Sequence, residues 1–329
     1  MDSVQDVECY VPESNEFQEL LQSLPFERGA MCNPIHLYKG IWYRAHSLEA
    51  AMAFQRHFQA RDTDIILATA PKSGTTWLKS LVFAVTHRSQ YPVTDQNHPL
   101  LTTNPHGVVP FLELIYRNNK NPDLTSTPPP RIYSTHVPYT MLPESVQTSK
   151  CQIIYLCRNP KDIFVSMWHF GNMLLKDIPS SQPITIEESF ERFCKGITMF
   201  GPCWEQALEY WKKSIEKPEE ILFLKYEDLK ANINSQLKRI AKHLGCPFSS
   251  EEENEGVIED IANLCSFKHL SNLEVNKTGK LFFFQVVENN VFFSKGEVGD
   301  WINILTPSMV EKLDQVVEHK LNGSGLTLN

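Results

Sequence analysis

The segment Ile65-Ile66-Leu67-Ala68-Thr69-Ala70-Pro71-Lys72-Ser73-Gly74-Thr75-Thr76-Trp77 changes character halfway along. Ile65 to Thr69 is apolar on both faces, which suits a strand buried inside a parallel sheet better than one with a face in water. Pro71 to Gly74 reads as a turn, and from Thr75 a helical pattern runs to about His87. A strand that feeds a helix in this way leaves the unpaired N–H groups and positive dipole end of the helix facing outward. Gly74 lets an anion approach that backbone closely. Lys72 adds a full positive charge, and Ser73, Thr75 and Thr76 add hydroxyls, so the turn reads as a phosphate cradle. Charge-assisted hydrogen bonds of this kind contribute about 1.5–3 kcal/mol each. A plain strand-to-helix turn would need only the glycine.

Two further apolar runs repeat the pattern. Ile153 to Cys157 precedes a helical stretch from Pro160 to about Met173, and Ile221 to Leu224 precedes one from Leu229 to about Leu244. Strand, turn and helix in succession predict an α/β fold, a central parallel sheet flanked by helices with a P-loop-like cradle. The extended run Arg131 to Thr135 would be delivered by that sheet to its ligand edge, where His136 follows. Helix starts are read at Ser47 (capping Leu48 to Phe58), at the Thr185/Glu188 capping box and at Thr306-Pro307. There is no internal repeat and no low-complexity linker, so residues 17–329 are read as one domain behind a flexible N-terminal segment, 1–16.

The chain has 329 residues, with 31 Lys and Arg against 39 Asp and Glu. The net charge of -8 disfavours nucleic acid and anionic membranes as partners, so any anionic ligand must sit in a local positive pocket. No apolar stretch approaches the roughly 18 residues of a membrane span. The acidic start (Asp2, Asp6, Glu8) lacks the features of a secretory signal, and a cytoplasmic location is expected. Eight cysteines, Cys9, Cys32, Cys151, Cys157, Cys194, Cys203, Cys246 and Cys265, form no CxxC pair and read as reduced thiols, with no metal site.

Comparison with the nucleotide P-loop GxxxxGK[ST] separates this cradle from that of kinases. With Gly74 as the second glycine, Thr69 replaces the first and Thr75 replaces the lysine, while the lysine here stands on the near side of the turn at Lys72. No neighbouring acid offers itself as a magnesium ligand.

Pro71 to Trp77 resembles the signature of the cytosolic sulfotransferases, and three later blocks are similar to that family in the same order. They are Thr135-His136-Val137-Pro138, the run Tyr155 to Asp162 with Ser166 and Phe170, and Lys295-Gly296-Glu297-Val298-Gly299-Asp300-Trp301. Asn97 to Leu101 and Leu142 to Val146 resemble the plant branch. The resemblance implies transfer of a sulfonate from 3′-phosphoadenosine 5′-phosphosulfate (PAPS) to a hydroxyl of a small phenolic, steroid-like or related acceptor. It implies that Lys72, Ser73, Gly74, Thr75 and Thr76 hold the 5′-phosphosulfate, with Lys72 neutralising the leaving oxygen. By the same resemblance Trp77 and Phe267 face the adenine, and Arg158, Ser166, Ser294, Lys295 and Gly296 hold the 3′-phosphate.

Ser294 departs from the family, which usually has arginine before Lys-Gly, and Ser134 stands where animal relatives often carry lysine. His136 is the expected general base, since imidazole titrates near neutrality; His169 is its rival. Trp42, Phe111, Tyr139 and Phe170 match family positions lining the acceptor pocket. Ile302 and Pro307 depart from a dimerisation segment known in animal relatives, which favours a monomer. Two other readings stay open at this level: a nucleotide kinase with a displaced lysine, and a non-catalytic nucleotide or small-molecule binder on the same fold.

Overall fold

A computed structural model describes residues 14–28, 34–175, 183–282 and 286–328. Cys9, Cys32 and residues 1–13 of the expected N-terminal segment lie outside that set. Strands β1 (Phe26–Arg28), β2 (Pro34–Tyr38) and β3 (Ile41–Arg44) form a small antiparallel sheet. Strands β4 (Ile65–Thr69), β5 (Ile132–Thr135), β6 (Gln152–Cys157) and β7 (Ile221–Lys225) form the central sheet, in the order β5-β4-β6-β7 and all parallel. A third, two-stranded sheet pairs β8 (Lys280–Phe282) with β9 (Val286–Glu288).

The apolar runs are explained by packing on both faces. Ile66, Tyr133, Ile153, Tyr155 and Phe223 point into one core layer, and Ile65, Leu67, Ile132, Ile154 and Leu156 into the other. Alternate residues of one strand thus serve two cores, so no polar alternation survives. At the N-terminal end of the sheet the buried pair Arg131 and Asp64 closes the edge, with Arg131 Nε donating to Asp64 Oδ1 at 2.7 Å.

The chain leaves β4 for β5 on one side and then crosses back to β6 on the other. A crevice therefore opens beyond the carboxyl ends of β4, β5 and β6, where ligands of such sheets bind. The loops holding Lys72, His136 and Arg158 all start there.

Helices Thr75–Thr86 and Pro160–Leu175 follow β4 and β6 as expected. Two helix readings need correction. The expected helix from Leu229 to Leu244 is two, Tyr226–Ala231 and Ile233–His243, because the Asn232 side chain accepts from Ser235 N–H and starts a new helix. The helix expected to be capped by Ser47 spans Ala45–His57, with Arg44 at its cap position. Ser47 lies buried in the first turn, because β3 runs straight into the helix without a polar stop. Thr306 caps Pro307–Leu321 as read, accepting from Met309 N–H, and Thr185 accepts from Glu188 N–H at the start of Ile186–Cys194.

Among the described residues Cys151, Cys157, Cys194, Cys203, Cys246 and Cys265 are free thiols. None of the helices described is long and apolar enough to cross a membrane. No group of three or more His, Cys, Asp or Glu gathers among the described residues as a metal site would require.

Candidate active site

A cavity of about 790 Å³ opens at the carboxyl ends of the central strands. The cradle forms its floor. Lys72 (φ +67°) and Gly74 (φ +102°) both adopt left-handed backbone, a conformation that costs a lysine strain and a glycine little. A Cβ on Gly74 would stand 2.7 Å from the Tyr226 ring, so glycine is required for packing as well as for the turn. Pro71, Lys72, Gly74, Thr75, Thr76 and Trp77 line the cavity. Ser73 does not: it is fully buried behind the turn, its hydroxyl without a hydrogen-bond partner.

The Lys72 ammonium sits 4.1 Å from the centre of the Phe170 ring. Burial, seconded by the Arg158 charge, pulls its pKa down to about 7. A polyanion bound in the cradle would restore the protonated form. Binding of 3′-phosphoadenosine 5′-phosphate (PAP) is therefore expected to take up a proton at about pH 8, where the free lysine is largely neutral, and to take up little at about pH 6. Calorimetry in buffers of different ionisation enthalpy measures this; proton release on binding would contradict it.

Opposite the cradle stands His136, buried in the turn after β5. Its Nδ1 lies 2.7 Å from the carbonyl oxygen of Thr69. A carbonyl only accepts, so Nδ1 carries the hydrogen and Nε2 keeps its lone pair. Burial first, then the charges of Lys79 and Lys72, pull the His136 pKa down to about 3 against the opposing bond to Thr69. The ring is thus neutral and able to accept a proton, and the negative charge of a bound donor acts to raise its basicity. The Glu113 carboxylate fixes the turn, accepting from His136 N–H at 2.5 Å and from the Thr135 hydroxyl at 2.9 Å. Gln206 Nε2 donates to the His136 carbonyl at 2.7 Å.

A second group behind the cradle is not legible from local sequence. Lys79, fully buried, stands 3.4 Å from the centre of the Phe111 ring, with its amino group 2.9 Å from His106 Nδ1. His106 Nε2 lies 3.0 Å from the Thr76 hydroxyl. Burial pulls the Lys79 pKa well below its ordinary value, against the opposing charge of Glu113. Lys79 follows Trp77 by two residues, and a buried lysine inside the apolar pattern of the helix was the one signal available.

Trp77 and Phe267 line the same cavity, with Tyr226 against Trp77 at 5.4 Å between ring centres. Gly296 is pressed onto Phe267, where a Cβ would come within 2.7 Å of the ring. Arg158 joins the two walls: its guanidinium donates to the carbonyls of Lys72 (3.2 Å) and Glu297 (2.6 Å), and its buried Nε has no partner. Arg158, Ser166, His169, Ser294, Lys295 and Gly296 line a small side cavity. Asp300 lines it as well and pairs with Lys295 at 2.6 Å. Asp162 holds this segment in place by accepting from the N–H groups of Gly299 (3.0 Å) and Trp301 (3.4 Å).

Of the residues expected around an acceptor, Phe111 and Phe170 line the cavity and two do not. Trp42 is held in β3 by backbone bonds to Gly201 (3.0 Å) and Phe200 (2.7 Å), one pleat short of the cavity. Tyr139 is packed in the core against Tyr210, 5.8 Å between ring centres.

A cradle on the near side of the sheet edge, a neutral histidine across from it and a ring-lined slot beside it define a group-transfer enzyme acting on a phosphorylated nucleotide donor. The comparisons name the family. The sulfotransferase domain family matches residues 62–325, and the chain belongs to it. Cytosolic sulfotransferase 15 of Arabidopsis thaliana is 47% identical over 317 residues, covering 95% of this chain and 87% of the relative. The crystal structure of an Arabidopsis thaliana protein assigned as a steroid sulphotransferase has a TM-score of 0.76 at 41% identity, covering 98% of this chain and all of that one. A mouse sulfotransferase, SULT7A1, solved with PAP, has a TM-score of 0.67 at 29% identity, covering 88% and 95%. This protein is a PAPS-dependent sulfotransferase of the plant cytosolic family, which transfers sulfonate to hydroxyl acceptors.

Proposed function

We propose that the acceptor hydroxyl attacks the sulfur of PAPS in line, between His136 and the cradle. The new bond joins the acceptor oxygen to sulfur, and the bond from sulfur to the 5′-phosphate oxygen breaks. The acceptor proton passes to His136 Nε2, and the released electron pair settles on the 5′-phosphate, where Lys72 neutralises it. Gly74, Thr75 and Thr76 bind that phosphate through backbone N–H groups and hydroxyls. Trp77 and Phe267 hold the adenine between them. Arg158, Ser166, Ser294 and Gly296 receive the 3′-phosphate, with Lys295 free to join only by leaving Asp300.

The observation that carries this reading is the pairing of a free Nε2 on His136 with the lysine-bearing cradle across one cavity. A non-catalytic nucleotide binder would need the cradle but not a basic histidine nitrogen facing it. The positive charge for the donor comes from Lys72 and Arg158, which fits a reaction run without a metal ion. The names of the relatives support a cytoplasmic location, and exposed Ile302 in place of a dimerisation residue supports a monomer. The test is a screen of hydroxylated acceptors with isotopically labelled PAPS, read by mass. The expected product gains one labelled sulfonate; PAP release without such a product would contradict the reading.

Ser294 and Arg158 line the same small side cavity. Ser294→Arg is expected to tighten PAP binding by about 10- to 100-fold, the worth of one added charge-assisted contact. Calorimetry with PAP and with AMP decides it, because only PAP carries the 3′-phosphate. An equal change for both would mean that the new side chain points elsewhere.

A further inference from the structure

Lys79 and His106 are both buried, and the transfer described above uses neither. Lys79 has no exposed surface inside the helix Thr75–Thr86. An amine placed there is costly unless its polar hydrogens find an acceptor. Its single hydrogen-bond partner among the described residues is His106 Nδ1, at 2.9 Å. His106 lines the cavity and Lys79 does not, so any hydrogen-bonded link from Lys79 to a bound nucleotide passes through His106.

The His106 ring is held from behind. Asn104 accepts from the His106 N–H at 2.9 Å and donates through Nδ2 to Asn276 Oδ1 at 2.8 Å. Phe111 stacks on the imidazole at 5.4 Å between centres. So fixed, the ring brings its Nε2 within 3.0 Å of the hydroxyl of Thr76, a residue of the cradle. Burial first, then Lys79, His136 and Lys72, hold His106 well below its ordinary pKa, and a neutral imidazole carries one N–H. Two arrangements follow. With the hydrogen on Nδ1, an uncharged Lys79 accepts it, and Nε2 takes the Thr76 hydroxyl hydrogen, so that only lone pairs face the cradle. With the hydrogen on Nε2, Lys79 donates to Nδ1, Nε2–H donates to Thr76, and the hydroxyl hydrogen is available to a ligand. An anion in the cradle only accepts, so it selects the second arrangement whether Lys79 is an amine or an ammonium.

We propose that Lys79 and His106 are positioning residues for the donor, orienting the Thr76 hydroxyl so that it donates to the 5′-phosphate. The proposal rests on the reading of Thr76 as a ligand of that phosphate. It gives the buried lysine a use: its N–H occupies Nδ1 and so keeps the imidazole hydrogen on the side of Thr76.

The test compares PAP with adenosine 3′-phosphate, which lacks the 5′-phosphate, by calorimetry on the native protein and on variants whose melting temperatures are measured alongside. Thr76→Val, His106→Leu and Lys79→Met are each expected to weaken PAP binding by about 10- to 100-fold. Binding of adenosine 3′-phosphate should stay within about twofold of native. Thr76→Val combined with His106→Leu should lose no more than Thr76→Val alone, because without the hydroxyl His106 has nothing to orient. His106→Gln, whose amide can stand in for Nε2–H, should keep part of the affinity. Losses that multiply in the double variant, or that fall equally on both nucleotides, would reduce His106 and Lys79 to a structural role and overturn the proposal while leaving Thr76 in the phosphate site. Unchanged PAP affinity in Thr76→Val would overturn the reading of Thr76 as well. A turnover loss in His106→Leu confined to alcohol acceptors and absent on an electron-poor phenol would make His106 a base and overturn the proposal too. The native protein gives an answer that needs no variant to fold: nitrogen NMR on histidine-labelled protein should show His106 as the Nε2–H tautomer in the PAP complex. An Nδ1–H tautomer or an imidazolium there overturns the proposal.

Discussion

Lys72→Ala is expected to lower kcat by about 10²–10³, the usual cost of removing one preorganised stabiliser of developing charge. PAP affinity should fall by about tenfold or less. The asymmetry follows from when the charge appears. In the bound donor the bridging oxygen shares little negative charge, and on the proposed reading the backbone N–H groups after Gly74 together with Arg158 already hold the phosphates. As the sulfonate departs, charge accumulates on that oxygen, and Lys72 is the cradle's own cation. The left-handed backbone at Lys72 and its seat over Phe170 fix the ammonium before the reaction starts, so little reorganisation is needed. Single-turnover kinetics at saturating donor, with calorimetry on PAP, separate the two effects. A collapse of PAP binding with turnover maintained at saturation would make Lys72 a ground-state anchor instead.

His136→Ala should cost about 10²–10⁴ in turnover, the range of positioned proton transfer, while the protein still folds and binds PAP. The bond from Nδ1 to Thr69 leaves Nε2 as the basic atom, and no other described histidine of the cavity offers the same. Both ring nitrogens of His106 are engaged by Lys79 and Thr76. His169 lies in the small side cavity with Arg158 and Ser166. An electron-poor phenol loses its proton easily and needs less help, so the variant should lose less activity on such a phenol than on an aliphatic alcohol. Near-normal turnover of an alcohol by His136→Ala would falsify the base role, as would transfer of the loss to His169→Ala or His106→Ala.

The parts of this protein that could be read in one dimension are those made by contiguous residues. The apolar runs of β4, β6 and β7 announce burial on both faces, because a strand between two helical layers has no wet side. The cradle is legible because turn, helix start and lysine lie within one stretch from Pro71 to Trp77, and the backbone there makes the anion site whatever surrounds it. His136 could be placed because a parallel sheet delivers the ends of its strands to one edge. Where local signals misled, they concerned choices that neighbours make. Asn232 could continue a helix or cap a new one, and its side chain took the cap; Ser47 could cap, and the run-on from β3 removed the need.

Packing between distant segments settled the rest. Lys79, His106 and Glu113 come from three separate helices and meet only because those helices pack around the end of β5. Phe111 and Phe170 reach the cavity while Trp42 and Tyr139 do not, and no property of an aromatic residue along the chain distinguishes the two pairs. A site made by backbone and its nearest side chains is written locally; a pocket that selects a second substrate is made by which distant surfaces happen to face one another.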